Sequence, residues 1–242
     1  MEEIVCIALF SKPRLESYAN LAEHEANFAL IARISHKIGI LEVIIRNQIN
    51  SVILRQNEEN WWLHLPKEIN VIGDFTTMSP TVLISKQSMG FWIEVVKHFK
   101  VHNQIFNPSF LDCLDFKRYY HKNKNRFNNT KCLRHYQKTT IILKLLHTLR
   151  NRAFHFENLY KYTDKGYPRL NTKISGKPIT HINSSRKVLK SKNLQELYIA
   201  LQPEKIPLFL NDLLESFNPE LVNYAEQNTH TEHPLSSGKG SA

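Results

Sequence analysis

The chain has 242 residues, a formal net charge of +10 at neutral pH and a pI near 9.5; 42% of its residues are hydrophobic and 22% charged. Such a length can bury a sizeable core in one large domain, and such a charge points to a polyanionic partner, either nucleic acid or an acidic membrane surface. With 7 glycines the chain lacks the tight turns of a β-sandwich or barrel, and its 3 cysteines, Cys6, Cys113 and Cys132, form no CxxC pair, which argues against a disulfide framework and a cysteine-rich zinc site.

In chain order, Met1 to Phe10 is apolar for only seven residues and begins with acids, unlike a secretory signal. No window approaches the roughly 18 apolar residues of a membrane span, so a soluble cytoplasmic protein is expected. Pro13 suits the first turn of a helix over residues 13–22. The longest helical signal runs from Glu23 to Leu54, where Phe28, Ile31, Ile34, Ile38, Leu41, Ile45, Ile49 and Ile53 recur at three- and four-residue steps. Gly39 at its middle leaves open one bent helix or two. Trp61-Trp62 reads as a short helix or turn and residues 66–80 as a loop. A second amphipathic helix is expected over Thr81–Phe99, with Gly90 marking close helix packing, and a third over Thr139–Asn158. The latter carries Ile142, Leu145, Leu146, Leu149, Ala153 and Phe156 as its apolar stripe.

Residues 161–192 change character: Gly166-Tyr167-Pro168 and Ser175-Gly176-Lys177-Pro178 are turn signals among many cations. The stretch reads as a basic loop or short hairpin, followed by helices at Leu194–Leu201 and Pro203–Ser216 and a flexible tail. The expected division is a helical core (1–160), a basic insertion (161–192), C-terminal helices packed on the core (193–224) and the tail (225–242). The fold class is all-α.

Three constellations carry candidate chemistry. Arg150, Asn151, Arg152 and His155 crowd the end of the third helix, with Asn151 and His155 one turn apart on a face away from the apolar stripe. Guanidiniums neutralise charge on a phosphodiester, an imidazole moves protons near neutrality, and an amide orients either the imidazole or a ribose hydroxyl. This set suits RNA cleavage through the ribose 2′-hydroxyl, with Arg150 and His155 central, Asn151 orienting and Arg152 supporting. No metal or cofactor is required by it. The same residues also describe an ordinary polar helix end that complements the helix dipole. Glu42, Arg46 and Asn47 form the second constellation; Glu42 and Arg46 at i, i+4 read either as a helix ion pair or as support for the Arg150–His155 segment. The third is the basic, aromatic run Lys117, Arg118, Tyr119, Tyr120, Lys122, Lys124 and Arg126, whose cations suit phosphates and whose tyrosines suit unpaired bases. Arg186, Lys187, Lys190 and Lys192 extend that idea. His98 and His102 read as a helix end, and His230 and His233 as part of the tail, none of them as a metal site.

Four pieces in order resemble one family: Ser11 to Tyr18; Leu41 to Asn50, similar to an "LE-x-x-x-RN-x-I" helix; Gly90-Phe91-Trp92; and Leu149 to Glu157, similar to "LRNR-x-x-H-x-E". Over residues 11–160 the chain resembles the Abi-like abortive-infection proteins of the AbiD/AbiF type, within the HEPN superfamily of helical ribonucleases. The resemblance implies a HEPN-type bundle, a homodimer in which two Arg-x4-6-His segments face each other, and Arg150 and His155 as the signature pair. It further implies an RNA-cleaving toxin of an anti-phage or toxin–antitoxin system, for which a small non-coding RNA is a candidate antitoxin. Residues 161–192 are longer and more basic than the family pattern. Beside the enzyme stand two other readings, a HEPN-like module that holds RNA without cutting it and a protein-interaction scaffold.

Overall fold

The computed structural model describes residues 3–56, 59–74, 77–127, 131–176, 180–182, 188–190 and 196–227. Arg186, Lys187, Lys192, His230 and His233, and most of the expected tail, lie outside the described residues, as does the side chain of Lys190. Among the described residues helix dominates, at 62% against 8% strand. The expectation of a mainly helical fold stands, while the small antiparallel sheets depart from all-α.

The helices are α1 (Glu3–Phe10), α2 (Lys12–Leu15), α3 (Leu21–Gln56), α4 (Pro80–Lys86), α5 (Met89–Phe99), α6 (Pro108–Cys113), α7 (His135–Phe154), α8 (Ile206–Phe217) and α9 (Glu220–Gln227). The expected helix over 13–22 shrinks to the single turn of α2. Helix α3 runs unbroken for 36 residues through Gly39, where a Cβ would meet nothing within 4 Å. It is the mast of the core. Ile34, Ile38, Leu41, Ile45 and Ile49 are fully buried on one stripe, each contributing about 2 kcal/mol by burial. Against this stripe pack α5, α7, α8 and α9. From α7 come Ile141, Ile142, Leu145 and Leu149, and from α8 Phe209, Leu210, Leu213 and Leu214, all buried.

The expected helix over residues 81–99 is two helices. Gln87 breaks it, because its buried amide is spent on loop and helix backbone: Nε2 donates to Ile72 O and Leu83 O at 2.7 Å each, and Oε1 accepts from Ile72 N at 2.9 Å. Ser88 then N-caps α5, its Oγ accepting from Phe91 N at 3.3 Å. Trp61 and Trp62 sit in a short 3-10 turn and pack on the same aromatic cluster, Trp61 lying 5.9 Å from Trp92 between ring centres.

The helix expected over Leu194–Leu201 is a strand. Five described strands precede it, four of them in two antiparallel pairs: β1 (Arg126–Phe127) with β2 (Lys131–Cys132), and β4 (Thr180–Ile182) with β5 (Val188–Lys190). β3 (Asn171–Ser175) pairs antiparallel with β6 (Glu196–Ala200) in the register Lys173 opposite Tyr198. Along β6, Leu197 and Ile199 are buried while Glu196 and Tyr198 are exposed, a period of two that a strand satisfies and a helix does not. The buried face of this pair includes Thr172 and Ile174, and β3 packs on α7. Asn123 anchors the edge: its Nδ2 donates to Ala200 O at 2.7 Å and its Oδ1 accepts from Ala200 N at 2.8 Å. Among the described residues after 193 the chain forms one strand, a 3-10 turn (Pro203–Lys205) and two α-helices, and α9 carries regular structure to Gln227, past the expected start of the tail.

Candidate functional site

Helix α7 starts and ends four residues earlier than its periodicity suggested, so His155 caps the helix instead of lying within it. Glu157 N donates to Arg152 O at 2.9 Å and Phe156 N to Ala153 O at 3.0 Å, the paired bonds of a Schellman termination. That turn requires a left-handed residue, and Phe156 supplies it with φ of 52°. The expected apolar-stripe position is thus outside the helix. The Phe156 ring is half exposed and stacks on Phe28, 5.3 Å away.

Two asparagines clamp the chain leaving α7 onto α3 and the turn before it. Asn27, fully buried, donates from Nδ2 to Tyr18 OH at 3.1 Å and to Glu157 O at 3.2 Å, and accepts from Leu159 N at 2.9 Å. Asn158 donates to Ser17 O at 2.6 Å and to Glu23 Oε1 at 3.2 Å. These bonds fix where the end of α7, and with it His155, sits. Neither asparagine stands out in the sequence, because each acts on backbone 130 or more residues away.

On the exposed flank of α7 a polar chain runs between helices. Arg150 Nε meets Glu42 Oε2 of α3 at 3.2 Å, with both side chains partly exposed. Arg150 also donates from Nη1 to Asn151 Oδ1 at 3.5 Å and lies 5.2 Å over the Phe154 ring. Asn151 Nδ2 donates at 3.1 Å to Nε2 of His147, one turn back. Asn151 therefore bonds to His147 and not to His155. Burial, and then the Arg150 charge, hold the His147 imidazole below its usual pKa, against the opposing effect of Glu42. A neutral ring with Nε2 as acceptor is what the Asn151 bond needs. Gly90 at the start of α5 lies beside this ring; a Cβ there would stand 3.5 Å from His147 Nε2, an ordinary contact. His147 belongs to none of the sequence constellations described above. Its i, i+4 spacing to Asn151 was the available signal.

Of the two readings of Glu42 and Arg46, the helix ion pair does not form, and Glu42 faces Arg150. Arg46 turns to Ser85 O and Asn47 Oδ1, both at 3.4 Å, and Asn47 is exposed. Arg152 turns inward: Nη1 lies 3.5 Å from Glu157 Oε2, which also faces Arg169 at 3.7 Å. Arg152 Nη1 makes no hydrogen bond, and burial followed by the Arg169 charge lowers the guanidinium pKa. It braces the turn instead of facing solvent beside Arg150. His155 is exposed, and its side chain has no partner among the described residues.

The third constellation splits. Tyr119 and Tyr120 are 1% and 2% exposed, so the base-stacking role expected of them does not stand. Burial, and then the hydrogen bond that Tyr119 OH donates to Asp212 Oδ2 at 2.7 Å, raise the Tyr119 pKa, and Tyr120 OH donates to Gly166 O at 3.3 Å. Arg118 pairs with Asp212 at 3.2 Å. Lys117, Lys122, Lys124 and Arg126 are exposed, Lys122 lying 5.9 Å over the Tyr167 ring. The others line a cleft of about 850 Å3 with Arg134. Lys138 reaches in from α7 and closes the end of α6, donating to the carbonyls of Leu111, Asp112 and Leu114. Its pKa is lowered by burial.

Among the described residues no group of three or more His, Cys, Asp or Glu side chains is placed to hold a metal ion, and no helix is long and apolar enough to cross a membrane. His102 is half-buried, with burial and then the Lys97 charge lowering its pKa. Comparison with protein-family models, with curated proteins and with solved structures finds no match to this chain.

Proposed function

We propose that the chain is a metal-independent endoribonuclease that works as a homodimer. The observation that carries this reading is the end of α7, where an exposed His155, without a side-chain partner among the described residues, follows by five residues an arginine held in place by Glu42. His155 has the freedom to exchange protons with solvent and substrate, and Arg150 has the charge to meet a phosphate. The resemblance of Leu149 to Glu157 to the HEPN signature adds to it. So does the net charge of +10.

Within one chain Arg150 contacts Glu42, Asn151 and Phe154, and none of these contacts reaches His155. Two copies joined along this flank supply two arginines and two histidines to one phosphodiester. In the step this arrangement performs, the ribose 2′-oxygen bonds to phosphorus and gives its proton to one neutral His155. The bond from phosphorus to the 5′-oxygen breaks, and that oxygen takes a proton from the His155 imidazolium of the second copy. The products are a 2′,3′-cyclic phosphate and a 5′-hydroxyl. Arg150 neutralises the non-bridging oxygens, and Asn151, tied to His147, holds its amide oxygen towards Arg150. DNA lacks the attacking hydroxyl and is not cut by this route.

The biological setting rests on the resemblance: a toxin of an anti-phage or toxin–antitoxin system in the cytoplasm, restrained by a small non-coding RNA. The competing reading is a HEPN-like module that holds RNA without cutting it, and the Arg150–Glu42 pair favours it to the extent that the guanidinium is already compensated. Cleavage of RNA in EDTA by wild type, Arg150→Ala and His155→Ala decides between them. Wild type is expected to cut, leaving cyclic phosphate ends, and His155→Ala to lose about 10²- to 10⁴-fold. Intact RNA with wild type, or cutting by both variants, defeats the enzyme reading; loss of wild-type cutting only with EDTA replaces it with metal chemistry.

A further inference from the structure

Four cations from separate parts of the chain line the cleft beside α6: Lys117 in a 3-10 turn, Lys124 in the loop after it, Arg126 in β1 and Arg134 at the start of α7. All four are exposed, and none makes an ion pair with a described residue. The carboxylates on the same wall are occupied. Asp112 accepts from His135 Nε2 at 2.7 Å, while Asp115 accepts from the Asn125 amide and, at 2.8 Å, from Lys117 N. Lys117 acts electrostatically on Asp115, but the four exposed cations outnumber the two carboxylates, Asp112 and Asp115, so the cleft presents a surplus of positive charge in a space of about 850 Å3.

Among its described lining residues the cleft has no Phe, Tyr or Trp, and its one imidazole, His135, is tied to Asp112 at 2.7 Å. The two tyrosines of the same segment are turned into the core and their hydroxyls spent. Sites for single-stranded nucleic acid combine cations with rings on which unpaired bases stack. Sites for double-stranded RNA read phosphates and ribose hydroxyls, because the bases are hidden. We propose that this cleft binds the phosphate backbone of double-stranded RNA. The proposal rests on the reading that RNA is the partner, and it corrects the expectation that this segment grips unpaired bases. The contacts are sequence-independent and depend steeply on salt, since each phosphate neutralised releases counterions.

The cleft also carries its own reporters. Cys113 and Cys132 are both exposed and both line it. Binding is measured with full-length His155→Ala protein carrying Cys6→Ser, using a blunt RNA duplex and a single strand of the same length. The duplex is expected to bind more tightly and to slow alkylation of Cys113 and Cys132. Adding Lys124→Glu, Arg126→Glu and Arg134→Glu is expected to lower duplex affinity by about 10²-fold or more and to flatten the salt slope by about 3. Unchanged thermal melting of this exposed triple variant separates lost binding from lost folding, and a variant that melts early is replaced by the three single Lys or Arg to Gln changes. Equal binding of duplex and single strand, unchanged affinity in the triple variant, or unchanged alkylation with duplex bound would each overturn the proposal. None of these readings needs cleavage, so protein that binds duplex but whose wild type never cuts RNA defeats the nuclease reading alone.

Discussion

The end of α7 and the cleft beside α6 are two basic stretches of similar appearance in the sequence, and the fold treats them in opposite ways. At the end of α7 the charges are wired: Arg150 to Glu42 at 3.2 Å, Asn151 to His147 at 3.1 Å, Arg152 to Glu157 at 3.5 Å. In the cleft Lys117, Lys124, Arg126 and Arg134 make no ion pair with a carboxylate among the described residues. Wiring holds a group at one place, which chemistry on a single bond requires. Loose cations follow a polymer whose phosphates lie wherever the helix puts them. On the proposed reading, the contrast would divide the work into a place that reacts and a place that grips.

The strongest way to break that division is to remove one charge from each side. Arg150→Ala is expected to lower RNA cleavage by about 10²-fold or more with little change in the salt dependence of binding. Lys124→Ala is expected to weaken binding a few-fold and lower the salt slope by about 1, leaving single-turnover cleavage of bound RNA intact. If the two variants behave alike, the two regions are one surface.

Next in size is the clamp that holds the end of α7. Asn27→Ala leaves the Leu159 N–H and the Glu157 carbonyl without partners in the interior, at a cost of about 3 kcal/mol, read by urea unfolding. A loss under about 1 kcal/mol would mean that the turn holds itself. A smaller effect tests that turn. Phe156 stands at φ of 52°, so Phe156→Gly is expected to be more stable than Phe156→Ala by about 1 kcal/mol, although both lose the stack on Phe28. Equal stability would remove the strain argument.

The finest test is pH. His147 and His102 both have folded pKa values depressed, first by burial and then by a neighbouring cation, Arg150 and Lys97 respectively. The unfolded chain thus takes up these protons at higher pH than the folded one, so their contribution is fully present above about pH 6.5 and is lost as the pH falls through the folded values. Thermal melting across that range should show the decline, and His147→Gln should flatten part of it. Protonating Nε2 also sets two donors face to face at Asn151, so the wild-type site loosens on the acid side before the variant does.

Much of the core was legible because apolar spacing is a local property. The steps from Ile31 to Ile53 dictate one long amphipathic helix, and Gly39 does not break it because a single glycine costs only about 1 kcal/mol against that burial. The strand at Glu196–Ala200 was misread as a helix: the alternation of Leu197, Ile199 and Leu201 was present, but a run that short satisfies either period until β3 lies beside it. In the same way Ser88 signalled the cap that splits α4 from α5, and it was hidden inside a continuous apolar pattern.

By itself the sequence determined the helical stripes, the positive charge, and the gathering of Arg150, Asn151 and His155 at one helix end, since each depends on neighbours within a few residues. Only the tertiary structure decided what each polar side chain faces. It turned Glu42 from Arg46 to Arg150, gave Asn151 to His147, sank Tyr119 onto Asp212 and left the cleft cations without an ion pair among the described residues. The physical reason is range: backbone preference and periodicity act along the chain over a turn or two, whereas an ion pair or a buried hydrogen bond is chosen by whichever helix packs alongside.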